Sequence, residues 1–389
     1  MTIHHATRHP PVWISAKDAD FATFRAQVEQ STDPATVPRA SEVVCNIPIY
    51  EGAFVETCAT STDAGRDLMA EWARVFAHGA GIIVIRQAVP DHAVIDRASD
   101  VFDAVIAHEK AAAMGGGDHF AKPGANDRIW NSLEKHCLAD PENFARYYGA
   151  SALAMAALAW IGPDYQMTAQ VNRVNPGGAA QTAHRDYHLG FMTPSRMEDY
   201  PSHIHHVSPM LTLQGALAHC DMPLETGPTL FLPFSQLFFE GYLAYTEAPY
   251  QDYFAQHHVQ LPLKKGDAVF FNPAVMHGAG RNVTEDRFRL VNLFQISSAF
   301  GRAMESVNRD AMVRALYPAL SGMAPDIRRN AVAAAAEGYA FPTNLDRNPP
   351  IGGLAPKSQA ALMLHALEED LDTARFAAMM DDLVWKNKS

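Results

Sequence analysis

The chain carries the stretch QTAHRDYHLGF, in which His184 and Asp186 are separated by one residue. A later stretch, NPAVMHGAGRNVTEDRFRLVN, supplies His277, 91 residues beyond Asp186, and then Arg287 and Arg289. Two imidazoles and one carboxylate are a donor set suited to ferrous iron, and as a facial triad they leave positions open for an organic co-substrate and dioxygen. Side chains two apart on an extended strand project to one face, so His184 and Asp186 can aim into one cavity. The third donor must then come from a different strand. The 91-residue interval has room for several strands of a rolled sheet, and a jelly roll closes naturally in this way. A lone HxD means little in a chain with 18 histidines; the joint pattern carries the reading. The two downstream arginines could hold a distant carboxylate of the co-substrate.

The elements that must position these residues show a change of texture near residue 165. Beyond it MTAQVNRV, MLTLQGALAHC, VQLPLKK, DAVFFN and FRLVNLFQIS read as short strands divided by Gly, Pro and Asp turns. DMPLETGPTLFLP reads as a hairpin connection, and KKGD as a compact turn into the strand that delivers His277. The first third is mainly helical. Ser15 is an N-cap candidate before Phe21, Phe24 and Val28; Leu68, Trp72, Val75 and Phe76 repeat helical spacing; a short strand spans 82–85; and Asp91 caps a helix carrying Val94, Ile95, Phe102 and Ile106. After residue 299 helices return over 304–316, 331–336 and 358–385, where they could brace the sheets or supply a homo-oligomer interface. The expected class is α+β: a β core folded as a double-stranded β-helix, cupin-like, with N-terminal and C-terminal helices. One catalytic domain is expected over 1–389, with 1–164 mainly helical around a supporting strand, 165–299 the jelly-roll core with the metal site, and 300–389 the C-terminal helices.

Composition narrows the function. Hydrophobic residues make up 48% and charged residues 19% of 389, which are globular proportions. A net charge of −12 argues against an extended nucleic-acid footprint and leaves a small-molecule substrate as the expected partner. Cys45, Cys58, Cys137 and Cys220 form no CxxC pair, which points away from zinc knuckles and disulfide frameworks and toward a reducing cytoplasm. The opening MTIHHATRHPPVW has no apolar signal core, and no segment approaches membrane-spanning length, so neither secretion nor membrane insertion is expected.

HRD, TGPTLFLPFS, KGDAVFFNPAVMHGAG and DRFRLVN together resemble the phytanoyl-CoA dioxygenase family of iron(II)/2-oxoglutarate oxygenases, over roughly residues 70–297. The N-terminal part of the resemblance is GAGIIVIRQAVPDHAVIDRASDVFDAVI. It implies that His184, Asp186 and His277 hold Fe(II), with 2-oxoglutarate as co-substrate and O2 as oxidant. It also implies an arginine just beyond the distal histidine, pairing bidentately with the far carboxylate of 2-oxoglutarate. Arg287 and Arg289 stand ten and twelve residues after His277, on either side of the family's common spacing. Arg289 is preferred because the apolar run 290–296 makes it the deeper residue. Gln170 and Asn172 share a face of the preceding strand, where similar enzymes place polar side chains near 2-oxoglutarate; buried amides there could equally satisfy backbone groups. The implied reaction is oxidative decarboxylation to succinate and CO2 coupled to hydroxylation of a small molecule. A carboxylate at position 186 favours hydroxylation over halogenation.

Other candidates read more plainly. His188 is expected beside the metal or substrate, not as a fourth ligand, which would consume an open position. His203, His205, His206, His257 and His258 read as solvated surface, and Thr229 as a turn residue. Arg173, Arg185 and Arg281 could favour an anionic substrate but read equally as solvated. His119, Lys122, Arg128 and Trp130, in or after the run Gly115–Gly117, could close over substrate, though their spacing does not demand it. The alternative to an oxygenase is a cupin-like metal-binding sensor, or a cupin enzyme that does not use 2-oxoglutarate.

Overall fold

Alternation of apolar side chains builds the main sheet with two different faces. In the computed structural model, which describes residues 11–112, 125–340 and 344–388, eleven strands form two sheets among the described residues. They are β1 (Glu42–Val44), β2 (Ile47–Glu51), β3 (Ile82–Arg86), β4 (Asn126–Ile129), β5 (Gln166–Val174), β6 (Thr212–Ala218), β7 (Thr229–Leu232), β8 (Val259–Gln260), β9 (Ala268–Phe271), β10 (Met276–Ala279) and β11 (Arg289–Ser297). The major sheet has the order β1-β2-β3-β9-β6-β11-β5-β4, and the minor sheet β10-β7-β8. Every pairing is antiparallel except β2 with β3.

From β5 to β11 the chain winds between the sheets. It leaves β6 for β7 and β8 of the minor sheet, returns in β9, crosses to β10 and comes back in β11. A single antiparallel bridge, His184 to His277, adds residue 184 beside β10 as the remnant of a fourth minor strand. Four strands thus face four positions, the double-stranded β-helix expected from the sequence.

The period of two divides the apolar residues between two cores. Ile83, Ile85, Phe270, Phe294 and Ile296 face the helices and join Trp72, Phe102, Tyr148, Met312 and Phe376 in the larger core. Ile82, Val84, Val269, Phe271 and Val291 face inward and meet Phe231 of β7 in a cluster between the sheets. The inner face of the major sheet is therefore the wall of a cavity, and its outer face is the floor for the helices.

Several expectations shift in detail. Ser15 accepts from Lys17 N in a three-residue turn, and Asp20, accepting from Thr23 N, caps the helix Phe21–Val28. The segment GPTLFLP contains β7 and is not merely a connection. Gly227 turns the chain into it at φ 72, where a Cβ would lie 2.4 Å from the Arg281 carbonyl. Asn308 caps the helix Arg309–Leu316, so 304–308 lies outside it. The stretch 358–385 is two helices, Gln359–Glu368 and Thr373–Lys386, divided where Asp370 takes φ 50 and Asp372 caps the second. His205 is buried, bonded to the Met197 carbonyl on the short helix Ser202–Val207, and not solvated; His257 closes the helix Ala248–His257. Thr229 opens β7.

Two other histidines lie deep in the core. His219 joins Ser99 Oγ (2.8 Å) to Tyr147 OH (2.7 Å), and His136 pairs with Asn143 Oδ1 (2.8 Å). Burial lowers His136 to about 4 and His219 to about 3, so both fold as neutral imidazoles. Their folded values lie below the unfolded one near 6.5, so the unfolded chain binds more protons as pH falls between these limits. Stability is therefore expected to drop from about pH 6.5 toward 4, each histidine contributing up to about 1.4 kcal/mol per pH unit. Urea unfolding across that range should show a shallower pH dependence for His219→Gln, although that variant starts less stable.

Candidate metal centre

His184 and Asp186 do not lie on a regular strand. His184 forms the lone bridge to His277, with His184 N to His277 O at 2.8 Å and His277 N to His184 O at 3.1 Å, and Asp186 N donates to Pro273 O at 3.0 Å. His277 is carried by β10, not by the strand that follows KKGD. That strand is β9, and Asn272 and Pro273 break the chain after it: Asn272 Oδ1 accepts from Ala274 N, and proline has no N–H for a ladder. The break turns the chain from the major to the minor sheet and brings His277 opposite His184.

Each imidazole is oriented by main chain. His184 Nδ1 bonds the Thr182 carbonyl and His277 Nδ1 the Val275 carbonyl, both at 2.9 Å. A carbonyl only accepts, so Nδ1 carries the proton in both rings and the Nε2 lone pair points the other way. The two Nε2 atoms each stand 3.7 Å from an oxygen of Asp186, His184 from Oδ1 and His277 from Oδ2. Lone pairs and a carboxylate facing one another repel; a cation between them removes the conflict. The three donor atoms lie within 4.8 Å of one another, and no other group of three or more His, Cys, Asp or Glu is so arranged among the described residues. Burial alone would push the Asp186 carboxyl up; positive charge at the two Nε2 positions, together with a bond from Gln214, would outweigh it and hold the group below the usual carboxylate range, and with neutral rings that charge is the cation's to supply.

Gln214 escaped the sequence reading. Its Nε2 donates to Asp186 Oδ2 at 2.8 Å, which fixes the carboxylate's rotation as partners of metal ligands generally do. The only trace in sequence is an amide inside the apolar strand LTLQGALA, at a position whose alternation faces the cavity.

The site opens into a cavity of about 1050 Å³ between the sheets. Arg289, at the start of β11, lines it and is 4% exposed. Its Nη1 reaches the Thr226 carbonyl at 3.4 Å, and it makes no ion pair among the described residues. Burial lowers it to about 10, so the guanidinium stays charged at neutral pH. Arg287 is exposed and does not line the cavity; its carbonyl is bonded by Asn282 Nδ2 and Thr284 Oγ1 in the turn leading to β11. Gln170 and Asn172 both line the cavity, Gln170 accepting from Arg128 and Asn172 from Asn126 Nδ2 at 3.4 Å. Arg128, stacked 4.8 Å from the Trp130 ring, lines it with Trp130, whereas His119 and Lys122 lie outside the described residues. His188 bonds the Arg302 carbonyl at 2.7 Å and does not join the triad. Arg173 pairs with Asp103, and Arg281 is exposed. Arg185, read from sequence as a solvated or anion-attracting residue, is 1% exposed and bonded to main-chain carbonyls.

A double-stranded β-helix with a His–Asp–His cluster on its inner wall defines a class of metal-binding jelly rolls. Within that class the chain belongs to the phytanoyl-CoA dioxygenase (PhyH) family, whose model matches residues 56–291. No curated protein matches. Among solved structures, the non-heme alpha-ketoglutarate-dependent epimerase SnoN from nogalamycin biosynthesis is 18% identical, with 60% of this chain and 84% of that one covered and a TM-score of 0.43. The carbocyclase SnoK from the same biosynthesis is 18% identical, with 60% and 86% covered and a TM-score of 0.42. HygX from Streptomyces hygroscopicus, crystallised with nickel and 2-oxoglutarate, is 14% identical, with 60% and 89% covered and a TM-score of 0.38. Likeness this remote leaves the chemistry to be argued from the residues.

If the cluster holds a divalent metal, His277→Ala should abolish stoichiometric binding of Co(II) in a visible-absorption titration. Gln214→Leu, which touches no donor atom, should weaken binding about 10–100-fold with the fold retained. Equal affinity for Gln214→Leu and wild type would remove Gln214 from the site.

Proposed function

We propose that the protein is an Fe(II)/2-oxoglutarate-dependent dioxygenase that hydroxylates a small molecule, with release of succinate and CO2. The observation that carries this reading is one cavity with a His–Asp–His donor set on its wall and, at the start of β11, a buried arginine with no carboxylate partner among the described residues. His184, Asp186 and His277 would hold the iron. Bound there, iron with 2-oxoglutarate supplies the activation of O2 for C–H oxidation, which no side chain can supply alone.

The remaining work falls to this chain's residues. Arg289 offers a planar fork to the far carboxylate of 2-oxoglutarate, and Val84, Val269, Phe271 and Val291 line the cavity as an apolar wall that strengthens the pairing. Gln214 keeps Asp186 turned toward the metal. Arg287 points to solvent and takes no part, whereas Gln170 and Asn172 form a polar strip beside the co-substrate. The cavity is large enough for co-substrate and a small-molecule substrate together. Described helices include none long and apolar enough to cross a membrane, and the four cysteines are unpaired, which suits a cytoplasmic enzyme.

The test is an anaerobic optical titration with ferrous iron and then 2-oxoglutarate. The expected result is a visible charge-transfer band from the chelate. Bound iron without a band would replace this reading with a cupin-like metal protein that does not use 2-oxoglutarate.

A buried guanidinium without a counter-ion is costly to the empty protein. Arg289→Met is therefore expected to raise the unfolding free energy of the metal-free protein by about 1–3 kcal/mol, while weakening 2-oxoglutarate binding at least about 30-fold. Denaturant unfolding and the chelate titration read the two effects separately.

A further inference from the structure

Between the candidate ligands His184 and Asp186 lies a charged side chain with no carboxylate partner among the described residues. Arg185 points away from the cavity's donor set into protein, where it is 1% exposed. Its Nη1 donates to the Ala274 carbonyl at 2.6 Å and its Nη2 to the Ser235 carbonyl at 3.0 Å. The guanidinium lies 4.8 Å from the Tyr242 ring and 5.8 Å from the Tyr245 ring. The two carbonyls belong to different turns. Ala274 sits in the reversal between β9 and β10, two residues after Asn272, whose side chain shapes that reversal. Ser235 follows β7, beside Phe234 at φ 66, and its Oγ accepts from Met276 N at 2.8 Å, next to His277.

One planar fork thus reaches from the arm that carries two donors to both turns that flank the third. A buried cation with carbonyl partners alone is an expensive way to stabilise a loop, since an apolar side chain of similar volume avoids the desolvation. The fork's geometry is what an apolar side chain cannot supply.

We propose that Arg185 is a positioning residue for the metal centre, setting the separation between the His184–Asp186 arm and His277 without touching the metal. This rests on the metal-binding reading above.

The test uses the 389-residue chain with Co(II) as the probe, in wild type, Arg185→Lys, Arg185→Met and His277→Ala, alongside melting of each metal-free protein. Lysine keeps the charge but presents no fork. Arg185→Lys that folds is expected to bind Co(II) about 10–100-fold more weakly and with an altered visible spectrum, and Arg185→Met, which lacks both fork and charge, should shift affinity in the same direction. A lower melting temperature with unchanged Co(II) affinity and spectrum would mean that Arg185 only supports the fold, and overturns the proposal. If Arg185→Lys does not fold, Arg185→Met, which avoids burying a charge, decides by the same criterion. Wild type that binds no Co(II) overturns the metal reading itself and the proposal with it, whereas binding lost in His277→Ala but unchanged in the Arg185 variants overturns the proposal alone.

Discussion

Three donor atoms converge here because main chain dictates where two imidazoles point. Each ring gives its Nδ1 proton to a carbonyl two residues earlier, and the two backbones are bonded to each other at the same residues. Once the bridge between 184 and 277 is made, both Nε2 lone pairs face the one carboxylate at 186. The major sheet, the crossings to the minor sheet and the break after β9 serve to bring that bridge into register. A slip of one residue would turn His277 to the opposite face of β10 and dismantle the site.

The interior is built against its own stability at the places that matter. Arg289 and Arg185 are both buried cations without ion pairs among the described residues, and Gln214 holds one amide hydrogen-bond partner on Asp186 while its Oε1 has none. Such groups cost free energy that the apolar cores offset. Arg289 and Gln214 stand on the cavity wall of the major sheet, whereas Phe270, Phe294 and Ile296 on its outer face pack against helices.

Much of this was legible in the residues. The HxD pair, the distant histidine and the β texture after residue 165 point to the triad and to a rolled sheet, and Arg289 was separable from Arg287 by the apolar run that follows it. What misled was the assumption that the HxD pair needs a strand and that the strand after KKGD carries His277. A single bridge and a proline break produce the same convergence, and neither has a periodicity to read. Arg185 and Gln214 were illegible for a different reason. Whether an arginine beside a ligand faces water or carbonyls depends on turns at 235 and 274, which are 50 and 89 residues away. Ser15 caps a separate three-residue turn and Asp20 the helix, because two good capping residues lie only five positions apart.

That the imidazoles lean on carbonyls has an evolutionary side. The groups that aim His184 and His277 are contributed by Thr182 and Val275 through peptide oxygens, which every amino acid possesses. Mutation at either position leaves the aiming group in place so long as the backbone path holds. The geometry of the donor set is in this respect insulated from drift in its neighbours, whereas cavity-lining residues such as Trp130 and Met192 present side-chain atoms that a substitution removes.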